Sequence, residues 1–315
     1  MAKASIRLGL IGAGRWGRNY IRTLRALEGV KLARLASRNP ETLSLVDDAC
    51  IVSENWEEVA SARDIDGVII ATPPAVHAEM AETAITFGRP VLVEKPLTMN
   101  LSEAIGLRRL VEEYDGYVMV GHTHLFHPAY RALKQLAPAL GPVRAIRAEA
   151  GNRGPFRDDT PVLWDWGIHD VALCLDLLGT MPIAGGADVA ESRQTEDGLG
   201  QILDLKLIFP DDVIAQIRIG NIMDKRRRFT AHFETAVLVF DDLAPNMLTL
   251  HAPTQDFTAP RGPGEALDIT LEMPLGVVVR EFVQAIADKD DDLVSLDLGV
   301  AAVSVLSDCE RALKG

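Results

Sequence analysis

A short apolar strand that runs straight into a glycine-rich turn is the strongest constraint in this sequence. Ile6, Leu8, Leu10 and Ile11 read as the strand, and Gly12-Ala13-Gly14-Arg15-Trp16-Gly17 turns directly into a helix over Trp16–Leu27. Glycines also cluster in ordinary turns, and it is the strand on one side and the helix on the other that give this G-x-G-x-x-G a function. Gly12 permits the tight turn, Gly14 lets backbone approach a pyrophosphate, and Gly17 lets the helix lie close to its strand. The helix N-terminus adds N–H donors and a positive dipole end for phosphates. The expectation is a dinucleotide site that includes Ala13, Arg15 and Trp16.

The chain then alternates strands and helices. Val30–Ala36 reads as the second strand and ends in Ser37-Arg38, about twenty residues after the turn. An acid at this point hydrogen-bonds the ribose 2′-OH of NAD and repels a 2′-phosphate. Here Ser37 can bond the phosphate and Arg38 can pair with it, which favours NADP and leaves NAD open. The other reading of Arg38 is a surface residue of a turn. Asp66–Ala71 is continuously apolar after its first residues, as a buried parallel strand is, and stops at Thr72-Pro73-Pro74. Further strands are expected at Cys50–Val52, Val91–Val93 and Tyr117–Val120, with helices at Ala75–Phe87 and Leu101–Tyr114. Such alternation specifies a doubly wound sheet whose ligand lies outside the carboxyl ends of the strands. Thr72, Pro73, Glu94, Lys95 and Gly121 fall at such ends.

After about residue 121 the pattern changes. A helix at Pro128–Leu136, a strand at Val143–Ala150, a polar loop at Gly151–Pro161 and an amphipathic helix at Val162–Leu178 precede a series of alternating runs up to His251. Helices at about Leu275–Ala287 and Leu296–Leu313 end the chain. The predicted organisation is an α/β Rossmann domain over 1–121, then an α+β domain over 122–315 with a large, mostly antiparallel open sheet.

At 315 residues the chain has room for two domains, and 48% apolar and 24% charged residues suit a soluble globular protein. A net charge of −13 without long like-charge blocks argues against nucleic-acid and anionic-membrane partners. The one basic run, Lys225-Arg226-Arg227-Arg228, reads as a solvated approach to a strand. Three widely spaced cysteines, no apolar run of about 18 residues, and no room for a signal peptide before the first strand give a cytoplasmic expectation.

Two groups of residues carry candidate chemistry. Lys95, preceded by Glu94 and followed by Pro96, is either a working lysine or one that snorkels and pairs with Glu94. Asp165 and His169 stand four apart on a helix, so the carboxylate can orient and tune an imidazole as a general base requires. They also fit a capping Asp and an unrelated His. Asp170 points elsewhere and reads as structural. His77, at a helix start beside Thr72-Pro73-Pro74, is expected to help shape the cofactor pocket. His122, His124 and His127 lack a spaced carboxylate or cysteine to complete a metal site, so no metal is expected.

Gly12–Gly17, Ala71-Thr72-Pro73-Pro74 with His77, Glu94-Lys95-Pro96 and Asp165 with His169 occur together and in this order. The chain therefore resembles the glucose–fructose oxidoreductase / inositol dehydrogenase family (Gfo/Idh/MocA type). The likeness is specific in the N-terminal half and at Trp164–Gly179 and loose in the sheet that follows. It implies a first domain that binds NAD(P), a second domain with substrate in the crevice beside it, and a homo-oligomer assembled through the open sheet. It also implies that Lys95, Asp165 and His169 surround a carbinol of a sugar or cyclitol. His169 would accept the hydroxyl proton, Lys95 stabilise the alkoxide, and Asp165 orient the pair. His122-Thr123-His124-Leu125-Phe126-His127 departs from the basic-aromatic stretch common after the sixth strand. The Gly-His-Thr start, the following helix and Trp164-Asp165-Trp166 look more like relatives that act on nucleotide sugars. The alternative to an NAD(P)-dependent dehydrogenase is a non-catalytic cofactor-binding regulator or redox sensor, which would have no need of Lys95, Asp165 and His169.

Overall fold

The computed structural model describes residues 5–314. By contact the chain forms two compact units. One is the chain up to Thr123 with Met273–Val303, and the other is His124–Glu272 with the residues from Ser304 on.

In the first unit the order is β1 (Ile6–Ile11), α1 (Gly17–Ala26), β2 (Val30–Ala36), β3 (Ile51–Ser53), α2 (Glu57–Ala60), β4 (Gly67–Ile70), α3 (His77–Thr86), β5 (Val91–Glu94), α4 (Leu101–Glu113) and β6 (Val118–Gly121). The strands form one sheet in the order β3-β2-β1-β4-β5-β6, with every pair parallel. β4 and β5 are buried along their whole length, as strands covered on both faces must be. The chain leaves β1 for β2 on one side and returns to β4 on the other, so the end of β1 is a topological switch point. Asn100 caps α4 by accepting from the Ser102 and Glu103 N–H groups.

The second unit holds α5 (Pro128–Leu136), β7 (Val143–Arg153), α6 (Ile168–Leu178), β8 (Ala184–Thr195), β9 (Gly198–Ile208), β10 (Ile214–Gly220), β11 (Ile222–Phe233), β12 (Val237–Asp241), β13 (Leu248–His251) and β14 (Glu265–Ala266). Its sheet has the order β14-β13-β12-β11-β7-β10-β9-β8 and is antiparallel except between β7 and β10. The fold is thus a Rossmann-type parallel sheet accompanied by a large, mostly antiparallel one.

The structure differs from the sequence reading in three places. β7 continues to Arg153 because Gly151 still pairs with Gly220 of β10 and with Arg226 of β11, so the irregular segment starts later than Gly151. The stretch expected as one amphipathic helix opens with a π-helical turn, Leu163–Gly167, before α6, and Val171–Leu175 of α6 are all buried. The chain ends in α7 (Pro274–Asp288) and α8 (Val294–Lys314), and the segment Met273–Val303 belongs to the first unit instead of to one continuous 122–315 domain. Packing explains this. A Cβ on Gly67 of β4 would lie 2.6 Å from Ile286 Cδ1, the Phe282 ring stacks on Tyr117 at 6.4 Å, and Ser295 Oγ accepts from the Val120 N–H. These contacts bury an apolar face of the segment within the first unit.

Candidate active site

The glycine turn has a distinct steric reason at each of its three glycines. Gly12 holds φ +95°, and a Cβ there would meet Ala71 O at 2.7 Å. A Cβ on Gly17 would fall 2.1 Å from Gly12 O, so only glycine lets α1 start this close to β1. Around Gly14 a Cβ would meet no atom within 4 Å; the turn is open there, and a side chain would fill the space a phosphate needs. No side chain caps α1 and its first turn carries no acid, which leaves the dipole end to a ligand.

Over this turn lies a cavity of about 1080 Å³. Gly12, Ala13, Gly14 and Arg15 form its floor, Ser37, Arg38 and Asn39 one wall, and Thr72 and Pro73 another, with Arg18 and Arg22 of α1 beside them. The wall after β2 is tightly built: Ser37 Oγ accepts from the Asn39 N–H at 3.2 Å, and Asn39 Oδ1 accepts from the Glu41 N–H at 3.0 Å. Arg18 pairs with Glu41 at 3.5 Å. The size, the open glycine and four lining arginines, at 15, 18, 22 and 38, against one lining acid, Glu54, fit a dinucleotide phosphate chain, and Gly12, Ala13, Gly14, Arg15, Ser37, Arg38, Thr72 and Pro73 meet there.

Trp16, Gly17, His77, Glu94 and Lys95 do not line that cavity. Gly17 is a packing residue. His77 is fully buried, with Nδ1 2.9 Å from Pro96 O and Nε2 2.9 Å from Thr72 O, so it ties the loop after β4 to the loop after β5. Burial lowers its pKa, against the pull of those carbonyls. Glu94 is buried, and its Oε1 accepts from Trp16 Nε1 and, at 2.6 Å, from Tyr20 OH. Its Oε2 accepts from the Lys95 N–H at 3.2 Å. Burial raises the carboxyl pKa while Tyr20 and Trp16 oppose the rise, and Tyr20 is itself pushed up by burial and by Glu94. The Glu94 carboxylate therefore knits the glycine turn, α1 and the Lys95 backbone together. Tyr20 was not singled out from sequence, although it follows Trp16 by four residues on one helix face.

In the second unit Asp165 lies in the π-helical turn and His169 in the first turn of α6. Such turns often occur at functional positions. Arg157 Nη1 is 3.6 Å from Asp165 Oδ1, and the same guanidinium grips Asp159 through two hydrogen bonds. The His169 ring lies against His124, with centroids 4.2 Å apart. His127 Nδ1 accepts from the Ala129 N–H, which puts its proton on Nε2, 3.1 Å from Asp242 Oδ1. His127 thus caps α5 and faces Asp242, which His127, His124 and Arg227 hold below the usual carboxylate range against burial. Among the described residues no three His, Cys, Asp or Glu side chains are grouped to hold a metal ion.

The basic run departs from its solvated reading at its last two residues: Arg228 is part-buried, and its Nε and Nη2 donate to Asp241 Oδ2 at 3.0 and 2.9 Å. Lys225 and Arg226 are exposed, but the Arg227 guanidinium lies 4.2 Å from the Trp166 ring centroid and Nη1 donates to Gly151 O at 2.9 Å. Burial lowers its pKa, with Asp170, Asp242 and Asp165 opposing. Asp170 is buried and pushed up to about 7 by that burial, although Arg227 pulls it back.

The oxidoreductase family with an NAD-binding Rossmann fold, GFO_IDH_MocA, matches residues 6–122. A crystal structure of a provisionally assigned oxidoreductase from Magnetospirillum magnetotacticum MS-1 is 46% identical and superposes with a TM-score of 0.93, covering 97% of this chain and all of that one. The chain belongs to the Gfo/Idh/MocA family. It is accordingly an NAD(P)-dependent oxidoreductase. Among named relatives of this Gfo/Idh/MocA protein, the UDP-N-acetylglucosamine 3-dehydrogenase of Acidithiobacillus ferrooxidans is 27% identical over 90% of this chain and 89% of its own. The inositol 2-dehydrogenase of Rhizobium meliloti is 26% identical over 59% of each chain.

Proposed function

We propose that this Gfo/Idh/MocA protein is a dehydrogenase or reductase for a carbinol of a sugar, polyol or nucleotide sugar, with NADP as its preferred cofactor. The observation that carries the cofactor half is the wall after β2: Ser37, Arg38 and Asn39 face the cavity where an acid would oppose a 2′-phosphate. The substrate class draws support from the named relatives, of which the UDP-N-acetylglucosamine 3-dehydrogenase matches over most of both chains.

Residue roles belong to the same proposal. The bound nicotinamide nucleotide supplies hydride acceptance or donation. His169 takes the carbinol proton, and Asp165 orients the imidazole and holds its proton on the far nitrogen. Lys95 lends positive charge to the oxygen as it becomes an alkoxide. Glu94 fixes the backbone of Lys95 by accepting its N–H. A homo-oligomer through the large sheet and a cytoplasmic location complete the reading; no described helix is long and apolar enough to cross a membrane.

The test is a screen of polyols, free sugars and nucleotide sugars for reduction of added NADP⁺ and NAD⁺, with both nucleotides titrated against the protein. Turnover of a sugar-type carbinol with tighter NADP⁺ binding is expected. Tighter NAD⁺ binding refutes the cofactor preference, and failure of every carbinol with a nucleotide that binds refutes the substrate class.

A further inference from the structure

Trp16 is the one member of the glycine turn whose side chain is large, apolar and exposed, at 42% of its surface. Exposed apolar residues are common and by themselves mean little. Trp16 differs in that its indole N–H is spoken for: it donates to Glu94 Oε1, a carboxylate also held by Tyr20 and placed at the end of β5. The ring is thereby held by its edge, with part of its apolar surface left open.

Topology says which half of a dinucleotide this surface meets. The cavity wall of Ser37, Arg38 and Asn39 follows β2, on one side of β1. Trp16 reaches to β5, which lies two strands away from β1 on the other side. A dinucleotide crosses such a switch point with its phosphates at the turn and its two halves on opposite sides. If the 2′-phosphate half occupies the β2 side, the nicotinamide half runs toward β5, past Trp16 and toward Lys95.

On the reading that a nicotinamide dinucleotide occupies this turn, we propose that the Trp16 indole is the platform for the nicotinamide ring, clamped by Glu94, and that it favours the oxidised cofactor. The chemistry is selective. Oxidised nicotinamide is a cation and reduced nicotinamide is neutral, and an indole face is the strongest side-chain partner for a flat cation. A carboxylate accepting from the indole N–H enriches that face in electrons further. Trp16 thus deepens the cofactor site with a preference between redox states that the phosphate contacts do not supply, since both forms carry the same phosphates.

The experiment compares wild-type protein with Trp16→Phe and Trp16→Leu, using NADP⁺, NADPH and 2′-phospho-ADP-ribose, which lacks nicotinamide. Dissociation constants are measured by calorimetry, and indole fluorescence is followed in parallel. In Trp16→Leu, NADP⁺ affinity is expected to fall about three- to ten-fold while NADPH affinity changes by less than about two-fold. Trp16→Phe, which keeps a ring but loses the bond to Glu94, should fall between. NADP⁺ should quench a Trp16-dependent part of the emission that 2′-phospho-ADP-ribose leaves untouched. Equal losses for NADP⁺ and NADPH, or the same quenching by the nicotinamide-free fragment, overturn the platform while leaving the dinucleotide site intact. If neither NADP⁺ nor NAD⁺ binds the wild-type protein, the cofactor reading fails and the platform with it.

Discussion

Asp170 stands beside His169 and is predicted to set how the second unit responds to pH. The carboxyl is 5% exposed, and its Oδ2 has no hydrogen-bond partner among the described residues. Burial moves it from an ordinary 3.8 to about 7 even with Arg227 attracting its charged form. A raised acid binds its proton in the folded state over a range where the unfolded chain has already released it. Stability from this residue is therefore full below about pH 4 and is lost as pH rises toward 7, after which the loss levels off. The difference between 3.8 and about 7 corresponds to about 4 kcal/mol, an upper value because water penetration and local relaxation lessen the cost of the buried charge. Asp170→Asn keeps the shape and removes the titration. Urea unfolding of wild type and variant at pH 5 to 8, followed by the emission of the chain's four tryptophans, should show a falling wild-type curve and a flatter variant curve. The variant should be the more stable of the two at pH 8. Parallel curves across that range would refute the reasoning, because Asp170 would then be ionised in both states.

The other predictions concern cofactor and chemistry. Ser37→Asp should shift preference from NADP toward NAD by about 1–3 kcal/mol, the worth of a charge-assisted contact, as read from paired titrations. Lys95→Ala should abolish most turnover with NADP binding nearly intact, and near-wild-type kcat would remove Lys95 from the mechanism. His169→Ala should cost about 10²–10⁴-fold in kcat, and Asp165→Asn less, as measured by steady-state kinetics on the best carbinol found. Gly17→Ala should lower both stability and nucleotide binding, since its Cβ would lie 2.1 Å from Gly12 O; unchanged affinity and melting would show that α1 can retreat freely.

How much of this was legible depended on how far each feature reaches along the chain. The strand, turn and helix around Gly12–Gly17 were readable because all three constraints fall within about twenty residues, and the buried run at Gly67–Ile70 announced a parallel strand by its lack of alternation. Tertiary destinations were not. The pattern of α7 says that one face is covered, but only the packing of Phe282 and Ile286 on the first unit says by what. A run of four basic residues carries no mark of which member turns inward; that is decided by Trp166, Gly151 and Asp170, which lie 57 to 76 positions away from Arg227 in the sequence. The same limit holds in the candidate site. The spacing of Asp165 and His169 could be read as one helical face, yet the ring against His169 is His124 and the cation near Asp165 is Arg157, and neither follows from helical periodicity. Local backbone demands write themselves into sequence, whereas the charges that tune a site are supplied by segments whose neighbours exist only once the sheet has formed.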